Sequence, residues 1–546
     1  MDSIIALLLF ALAVYILVKY IIPLVLAVGG IAALTIACFG IAIGFGAALV
    51  NYFAAIKKNI NFLHWEWEKD DEPARRSYFF GPGYAQLVAT IQNAFELNAA
   101  SGKKMKATGD SFKGDSTGTW GTIKSIGGII YSCAGYFCIN VIGMVLCAVL
   151  GLIHGSITTA VMVVIYIIFT IVWLVDRVYL LTRKIRSDCP VCHERFLIPM
   201  FMCPDCGAMH KKLVPGPYGI WTHTCTCGRK LPATFMNGRS KLEAYSPCCE
   251  APLVASDARP IVFQLIGGSK AGKTVYLSAF FHEYLQKLSK NRNLQVAIAD
   301  QYKPYFDDLE EWYNGADCPA TAQLNSQMYP IVIDSSLGVK RQFSIYDIAG
   351  EMFNGSTAEA EVQQQQFHYC NGLLFLIDPF SSGTLRASRM NAGESLFDFS
   401  EMASEDVATN FINYLIHTGH AKADARCNIP ISVLIAKSDV REIKREIGPA
   451  KIRSIFRTNS EQYGTYENAR DSVCRQFLIN IGLSTTVDEL ETQFSNLHYF
   501  PISAMGHTPD GTPYEPWGIM DAVEWMLPLA DKKFSDLVFP PVTVNQ

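Results

Sequence analysis

Charged residues are almost missing from two long stretches of this 546-residue chain, residues 4 to 56 and residues 127 to 181. Within them only Lys19 lies clearly inside an apolar run. One such lysine is too little to line an ion or solute pathway, and it more simply snorkels or marks a helix boundary. The first stretch also has no basic n-region and no small-residue cleavage pattern, which argues against a cleaved signal peptide followed by an anchor.

Each of these stretches is long enough for two membrane-spanning helices, since one spanning helix needs about 20 apolar residues. Half of the chain's residues are hydrophobic, and the excess is concentrated here. Gly29 and Gly30 interrupt the first stretch, and His154 and Gly155 interrupt the second. We therefore predict four transmembrane helices in two hairpins, at about 4 to 27, 31 to 54, 128 to 153 and 157 to 180.

Basic residues flank the apolar stretches. They are frequent between the predicted hairpins, beginning with Lys57 and Lys58, and three more follow the last helix, at Arg183, Lys184 and Arg186. The positive-inside rule then places these two basic segments and both termini in the cytoplasm, with the lipid bilayer as a partner. Within the loop from 57 to 126, residues 86 to 99 have helical periodicity, whereas residues 100 to 121 are rich in Gly, Ser, Thr and Lys and are predicted to be a mobile loop.

Eight of the sixteen cysteines fall within residues 189 to 249. The first four have the spacing C-x₂-C-x₁₀-C-x₂-C, which offers four thiolates to one tetrahedral Zn²⁺: Cys189, Cys192, Cys203 and Cys206. The second four are less regular and predict a second zinc site in which His210 or His223 could replace one thiol: Cys225, Cys227, Cys248 and Cys249. Four thiolates leave no open coordination position, so these sites are expected to be structural. Basic residues scattered over the same region predict a solvated face near lipid headgroups and no specific nucleic-acid partner.

An apolar run, residues 261 to 266, predicts a buried strand, and the eight residues after it match G-x-x-x-x-G-K-[ST]. In a loop of this kind, backbone N–H groups surround the β-phosphate of a nucleotide, Lys273 reaches the β and γ oxygens, and the Thr274 hydroxyl binds Mg²⁺. Helical periodicity follows, so the N-terminus of a helix also points at the phosphates. The residues of this predicted phosphate-binding loop are Gly267, Gly268, Ser269, Lys270, Ala271, Gly272, Lys273 and Thr274.

Three further motifs follow predicted strands. Residues 347 to 350 read D-x-x-G, in which Asp347 would hold Mg²⁺ through water and the Gly350 amide would bond the γ-phosphate. Residues 436 to 439 resemble the N/T-K-x-D guanine box, in which Lys437 lies along the base and the Asp439 carboxylate accepts two hydrogen bonds that adenine does not offer.

The third motif, Ser503 and Ala504, resembles the S-A-x box that closes over the base. Four motifs in this order resemble a GTPase of the TRAFAC class, and they imply GTP and Mg²⁺ as ligands.

Two positions depart from the usual GTPase motifs, and a third residue has two possible interpretations. Ala436 replaces the Asn or Thr of the guanine box, and Glu351 stands where Ras-like enzymes carry the glutamine that orients the attacking water. The threonine expected in the first switch is best matched by Thr321, which is equally well read as an ordinary loop hydroxyl. No arginine finger is assured.

The order of apolar hairpins, cysteine-rich segment and GTPase-like domain resembles the bacterial double-GTPase group of TRAFAC proteins, over roughly residues 180 to 535. This resemblance implies a bacterial inner-membrane protein that acts with an unknown protein partner in a multi-component system, such as a defence system. From about 258 to 535, strands alternate with helices, which predicts an α/β fold with a mostly parallel three-layer sheet. The predicted divisions are hairpin 1 (1 to 56), a cytoplasmic loop (57 to 126), hairpin 2 (127 to 181), a zinc-ribbon region (182 to 257), the P-loop domain (258 to 535) and a tail (536 to 546).

The leading hypothesis is a membrane-anchored GTP switch whose loops are ordered by GTP and released by hydrolysis. Two alternatives stay open. One is a membrane scaffold that binds nucleotide structurally with negligible hydrolysis, and the other is an ATP-driven membrane machine.

Overall fold

The computed structural model describes residues 11–60, 72–112, 118–318, 327–349, 367, 369–391, 400, 403–419, 421, 425–507 and 510–540. The chain divides into two compact units, one of residues Met1–Asp176 with Leu213–Asn237 and one of residues Arg177–Lys212 with Gly238–Gln546.

The strands of the described residues are β1 (Ala74–Arg75), β2 (Ser187–Asp188), β3 (Arg195–Phe196), β4 (Met200–Met202), β5 (Met209–His210), β6 (Thr222–Cys225), β7 (Lys230–Pro232), β8 (Ala244–Tyr245), β9 (Arg259–Gly267), β10 (Leu294–Ala297), β11 (Gln327–Ser335), β12 (Lys340–Ala349), β13 (Gly372–Ile377), β14 (Ile431–Ile435) and β15 (Leu497–Pro501). The helices are α1 (Ala11–Lys58), α2 (Pro82–Ser111), α3 (Thr119–Thr182), α4 (Lys273–Lys290), α5 (Lys303–Tyr313), α6 (Gly383–Asn391), α7 (Ser404–His417), α8 (Arg441–Ile447), α9 (Pro449–Thr458), α10 (Ser460–Tyr463), α11 (Tyr466–Asn480), α12 (Ser484–Gln493) and α13 (Asp521–Val538).

The prediction of four transmembrane helices is wrong for the described part of the chain, which contains two long apolar helices instead. Helix α1 runs without a break for 48 residues and α3 for 64 residues. Gly29, Gly30 and Gly155 do not end these helices, because each glycine costs a helix only about 1 kcal/mol and keeps its backbone hydrogen bonds. Pro23 is accommodated at the start of a regular α-helical stretch, directly after the π-helical turn Leu17–Ile21 that contains Lys19.

The first unit also contains α2, which occupies part of the predicted mobile loop. The helix continues through residues 100 to 111, so the loop prediction is wrong there. Its buried positions are small or polar, including the fully buried Asn98. Asn98 donates a hydrogen bond to the backbone oxygen of Ile139 (2.7 Å) and accepts one from Asn51 (3.3 Å). These contacts join α2 to both long helices, which no local sequence pattern specifies.

The second unit is built on a seven-stranded sheet with the order β10-β11-β12-β9-β13-β14-β15. The pairs from β12 to β15 are parallel, and the pairs β10–β11 and β11–β12 are antiparallel. The predicted α/β fold with a mostly parallel sheet is therefore confirmed. The parallel strands are apolar almost throughout because both of their faces are covered, and in β9 all residues after Arg259 are buried.

Candidate functional site

The candidate site lies at the carboxyl edge of the parallel sheet, where ligands bind in open α/β folds. Strand β9 ends at Gly267, and its neighbours in register are Ala349 at the end of β12 and Leu376 near the end of β13. Gly267 must be a glycine, because a Cβ atom there would lie 2.9 Å from the backbone oxygen of Leu376. The register therefore places the loop after β9 beside the ends of two neighbouring strands.

The predicted phosphate-binding loop connects β9 to α4. Lys270 and Gly272 have left-handed backbone conformations, with φ of 57° and 101°. These two positions turn the chain so that α4 begins at Lys273, the seventh of the eight loop residues. The first amide groups of a helix have no partners within the helix, so this end of α4 can bind an anion.

Lys273 is bent back over the loop that precedes it. Its side-chain nitrogen donates hydrogen bonds to the backbone oxygens of Gly267 (2.9 Å) and Gly268 (3.1 Å), and the residue is only 5% exposed. A buried ammonium group is costly without hydrogen-bond acceptors, and the two carbonyl groups supply them. The same geometry holds a positive charge at the place where the loop would surround a phosphate.

Asp347 lies next to this charge, near the end of β12. It is 2% exposed, and burial raises the pKa of its carboxyl group to about 6 against the lowering effect of Lys273. Its Oδ1 atom is buried and has no hydrogen-bond partner within the described part of the chain. A buried carboxylate oxygen without a partner is unfavourable unless a ligand completes it. Together with the hydroxyl of Thr274 in the first turn of α4, this oxygen suits a hard cation such as Mg²⁺.

The predicted base-binding residues come from the loops after β14 and β15. The Ser503 hydroxyl donates a hydrogen bond to Oδ1 of Asp439 (2.7 Å) and accepts one from the amide of Gly506 (2.9 Å). Two backbone hydrogen bonds also join Ser503 to Trp517. These contacts fix the orientation of the half-buried Asp439 carboxylate and bring the Ser503–Ala504 loop beside it.

Lys437 of the predicted guanine box forms an ion pair that sequence reasoning missed. Its side-chain nitrogen lies 2.8 Å from Oδ2 of Asp378, which directly follows β13 and is 1% exposed. The Asp378 carboxylate also accepts hydrogen bonds from the backbone amides of Phe380 (3.0 Å) and Ser400 (2.9 Å). An acidic residue directly after a buried strand was visible in the sequence, but its partner lies 59 residues further along the chain.

Three predicted site residues, Thr321, Gly350 and Glu351, lie outside the described residues. Cys318, three positions before Thr321, is close enough to Asp347 for that charge to act on it. Burial, with a smaller contribution from Asp347, raises the pKa of the Cys318 thiol to about 12. Cys318, the last described residue before Thr321, thus lies near the predicted cation site.

The predicted grouping of the cysteines is wrong. Cys248 and Cys249 group with Cys189 and Cys192, and the four sulfur atoms lie within 4.8 Å of one another. Cys203 therefore does not complete the set of Cys189. Burial would raise the pKa of the Cys189 thiol, but hydrogen bonds from the Cys192 amide and the Ser246 side chain lower it to about 7. A thiol that ionises this readily is suited to a metal ligand.

The cysteines group differently because Cys248 and Cys249 lie in a turn that resembles the turn at Cys189 but begins with a serine. The backbone amide of Cys189 donates a hydrogen bond to the backbone oxygen of Glu194 (2.9 Å), and the amide of His193 donates one to the backbone oxygen of Cys189 (3.0 Å). The same pair of hydrogen bonds closes a turn that starts at Ser246, through Ala251 (2.8 Å) and Glu250 (3.1 Å). His193 and Glu250 both have positive φ, at 59° and 54°.

Ser246 therefore stands where the first turn has Cys189, and Cys249 stands where it has Cys192. Cys203 and Cys206 belong to the second unit, and Cys225 and Cys227 belong to the first.

Part of this chain resembles one family model and several solved structures. Residues 264–413 match the family model described as Double-GTPase 1. The similar solved structures include the Arl6 BBS3 small GTPase from Trypanosoma brucei with a bound nucleotide analogue (12% identity, 50% of this chain and 98% of that chain covered, TM-score 0.24). They also include a single-residue variant of Aquifex aeolicus Era bound to GDP·AlF₄⁻ (15% identity, 45% and 51% covered, TM-score 0.18) and the S. cerevisiae Ski7 GTPase-like domain bound to GTP (14% identity, 45% and 43% covered, TM-score 0.20). The chain thus spans about half or less of the last two. No curated protein sequence matches the chain.

Proposed function

We propose that this protein is a membrane-anchored GTP switch. Its residues 264–413 match the Double-GTPase 1 family model. It binds GTP with Mg²⁺, hydrolyses the bond between the β- and γ-phosphates, and controls a partner protein through the loops that the γ-phosphate orders.

The observation that carries this proposal is the proximity of two buried, oppositely charged side chains, Lys273 and Asp347. The lysine is buried on the loop carbonyls, and the neighbouring carboxylate keeps one buried oxygen without a hydrogen-bond partner among the described residues. A phosphate group would accept hydrogen bonds from the Lys273 ammonium group, and a divalent cation would bind the Oδ1 atom of Asp347. Structural packing alone gives no reason to bury both charges at one edge of the sheet.

Each residue of the site has a separate role in binding and hydrolysis. Lys273 and the amides of residues 267 to 274 bind the β- and γ-phosphates. Thr274 and Asp347 would hold Mg²⁺, which would supply positive charge against the negative charge of the phosphates. Thr321 and Gly350 contact the γ-phosphate side and report its loss. Glu351, in the place of the usual glutamine, makes intrinsic hydrolysis slow.

Guanine selectivity is assigned to the loops after β14 and β15. Asp439 accepts hydrogen bonds from the base, the Ser503 hydroxyl orients its carboxylate, and Ala504 closes over the ring. Lys437 lies along the base plane and is held there by Asp378. This ion pair holds the guanine-box loop in place, as the Asn or Thr side chain usual at position 436 would do.

Membrane anchoring is supported by the two long helices. None of the residues in the most apolar 18-residue stretch of α1 is buried within the chain, and 6% are buried in that of α3. Exposed apolar surfaces of this size mark membrane or protein contacts. We place the protein in the inner membrane of a bacterium, with the P-loop domain facing the cytoplasmic GTP pool and a multi-component system, such as a defence system, as the setting of its partner.

The cysteine cluster supports a structural zinc site. Cys189, Cys192, Cys248 and Cys249 offer four thiolates and leave no coordination position for substrate, so Zn²⁺ there would stabilise the segment between α3 and β9.

The test is nucleotide selectivity of the full-length chain in detergent. We expect GTP to bind with Mg²⁺ and ATP to bind far more weakly. In Asp439→Asn, GTP affinity should fall about 100-fold, since two hydrogen bonds to a charged group are lost, while ATP affinity stays unchanged. The exposed Asp488→Asn on α12 is the control and should behave as the parent. Equal GTP-to-ATP ratios in the parent and Asp439→Asn would disprove the guanine assignment and favour the ATP-driven alternative.

A further inference from the structure

A cavity lies at the edge of the sheet opposite the predicted nucleotide site. Its volume is about 890 Å³, and it is lined by residues at the amino ends of the strands. Arg259 begins β9, Asn371 precedes β13, and Asn496 precedes β15. We call it the amino-edge cavity. The parallel strands separate it from the predicted nucleotide site, so it is not part of that site.

The wall of the amino-edge cavity carries an excess of positive charge. Arg259 and Arg341 both pair with the same oxygen of Asp531, each at 2.7 Å. One carboxylate neutralises only one of the two guanidinium groups. Lys184 and Arg426 also line the cavity and are exposed, and its described lining contains no carboxylate.

Arg259 shows the effect of this imbalance. Burial lowers the pKa of its guanidinium group, Asp531 opposes that change, and the nearby charges of Arg341 and Arg195 lower it further. Arg195 is itself paired with Asp188 at 3.1 Å. An anion in the cavity would remove the repulsion between these cations.

Lys184 is held at the cavity by the end of α3. The backbone amide of Ile185 donates a hydrogen bond to the backbone oxygen of Leu180 (3.0 Å), and the amide of Lys184 donates one to the backbone oxygen of Leu181 (3.1 Å). This is the Schellman ending of a helix, and Lys184, with φ of 54°, occupies the position where glycine is usual. A side chain in this backbone conformation costs roughly 1 kcal/mol, and it fixes an ammonium group two residues after a long apolar helix.

We propose that the amino-edge cavity binds a phosphate-bearing anion, through Lys184, Arg259 and Arg426 with amide donors from the neighbouring asparagines. An anionic phospholipid headgroup is one source, because Lys184 follows the apolar helix so closely. A soluble phosphate compound is the other source. The lipid source rests on the proposed membrane anchoring, whereas the phosphate source does not.

The experiment compares the full-length parent chain in nonionic detergent with a double variant, Lys184→Gly with Arg426→Ala. The glycine suits the Schellman ending, so the helix end is preserved. A charge-matched control removes two exposed cations of α9, Lys451→Ala with Arg457→Ala. Calorimetric titrations use short-chain phosphatidylglycerol, short-chain phosphatidylcholine and inorganic phosphate. Thermal unfolding and GTP binding are recorded for each variant, so that a failure of the GTP proposal is seen separately.

The parent should bind phosphatidylglycerol more tightly than phosphatidylcholine. The double variant should lose about 25-fold in that affinity, since each cation near a lipid surface is worth about a factor of five, and the α9 control should lose little. Loss of inorganic phosphate binding by the same variant, without lipid preference in the parent, would identify a soluble ligand. The proposal is overturned if the double variant and the α9 control bind all three probes alike.

Discussion

The ion pair between Lys437 and Asp378 leads to a prediction about the loop that reads the base. In Asp378→Asn, the Lys437 ammonium group loses its charged partner, while the amides of Phe380 and Ser400 compete for a single remaining side-chain oxygen. The loop that begins at Ala436 should then open more often, because Asp378 is the contact that joins its side chains to the end of β13.

The magnitude follows from burial. Removing one partner of a fully buried pair costs about 3 to 5 kcal/mol. Here the Asp378 side chain is 0% exposed but that of Lys437 is 23% exposed, so the lysine can turn partly to water. We therefore expect a loss of about 2 kcal/mol, which corresponds to roughly thirtyfold more frequent opening.

Hydrogen exchange read by mass spectrometry suits the full-length chain in detergent. The amides of Ala436 and Ser438, which bond the backbone oxygens of Ile377 (2.9 Å) and Ile502 (3.1 Å), should exchange about thirtyfold faster in Asp378→Asn. Lys437→Met should act on the same amides, and the double variant should add little to either single variant. Exchange within twofold of the parent in both single variants would refute the reasoning.

Two further predictions concern the metal sites. Because Asp347 must be ionised to hold Mg²⁺ and burial raises its pKa to about 6, Mg²⁺-dependent GTP binding should be constant above that pH and fall about tenfold per pH unit below it. The stability of the nucleotide-free chain should change in the opposite sense, rising as pH falls through 6, because the folded state binds this proton more tightly. Asp347→Asn should remove both effects, and a pH profile that survives the substitution would assign them to another group. In the cysteine cluster, Cys249→Ser should make Cys189 react with an alkylating reagent, whereas Cys206→Ser should not; protection of Cys189 that depends on Cys206 would restore the spacing-based grouping.

The parts of the fold that could be predicted are those that short sequence patterns determine. The parallel sheet could be predicted because each central strand is a short apolar run, and the run that became β9 leads directly into a phosphate-loop motif. Each motif follows its own strand, and parallel strands bring their ends to one edge, so the approach of Lys273 to Asp347 needed no knowledge of distant packing.

The missed features depend on contacts between distant residues or on weak stop signals. The pair of Lys437 and Asp378 joins two strand ends, and only the folded sheet makes them neighbours. The cysteine grouping depends on the turn at Ser246, where a serine replaces the cysteine that spacing rules search for. The four-helix prediction treated glycines as helix ends, although a helix with apolar surroundings continues through them.

Phosphate release from GTP by the full-length chain with Mg²⁺ tests the central claim most directly. The parent should release phosphate slowly from GTP, Lys273→Ala should lose this activity because the β- and γ-phosphates lose their cation, and Lys290→Ala at the other end of α4 should retain it. GTP binding without any release would support the scaffold alternative. Release that persists in Lys273→Ala would contradict the account.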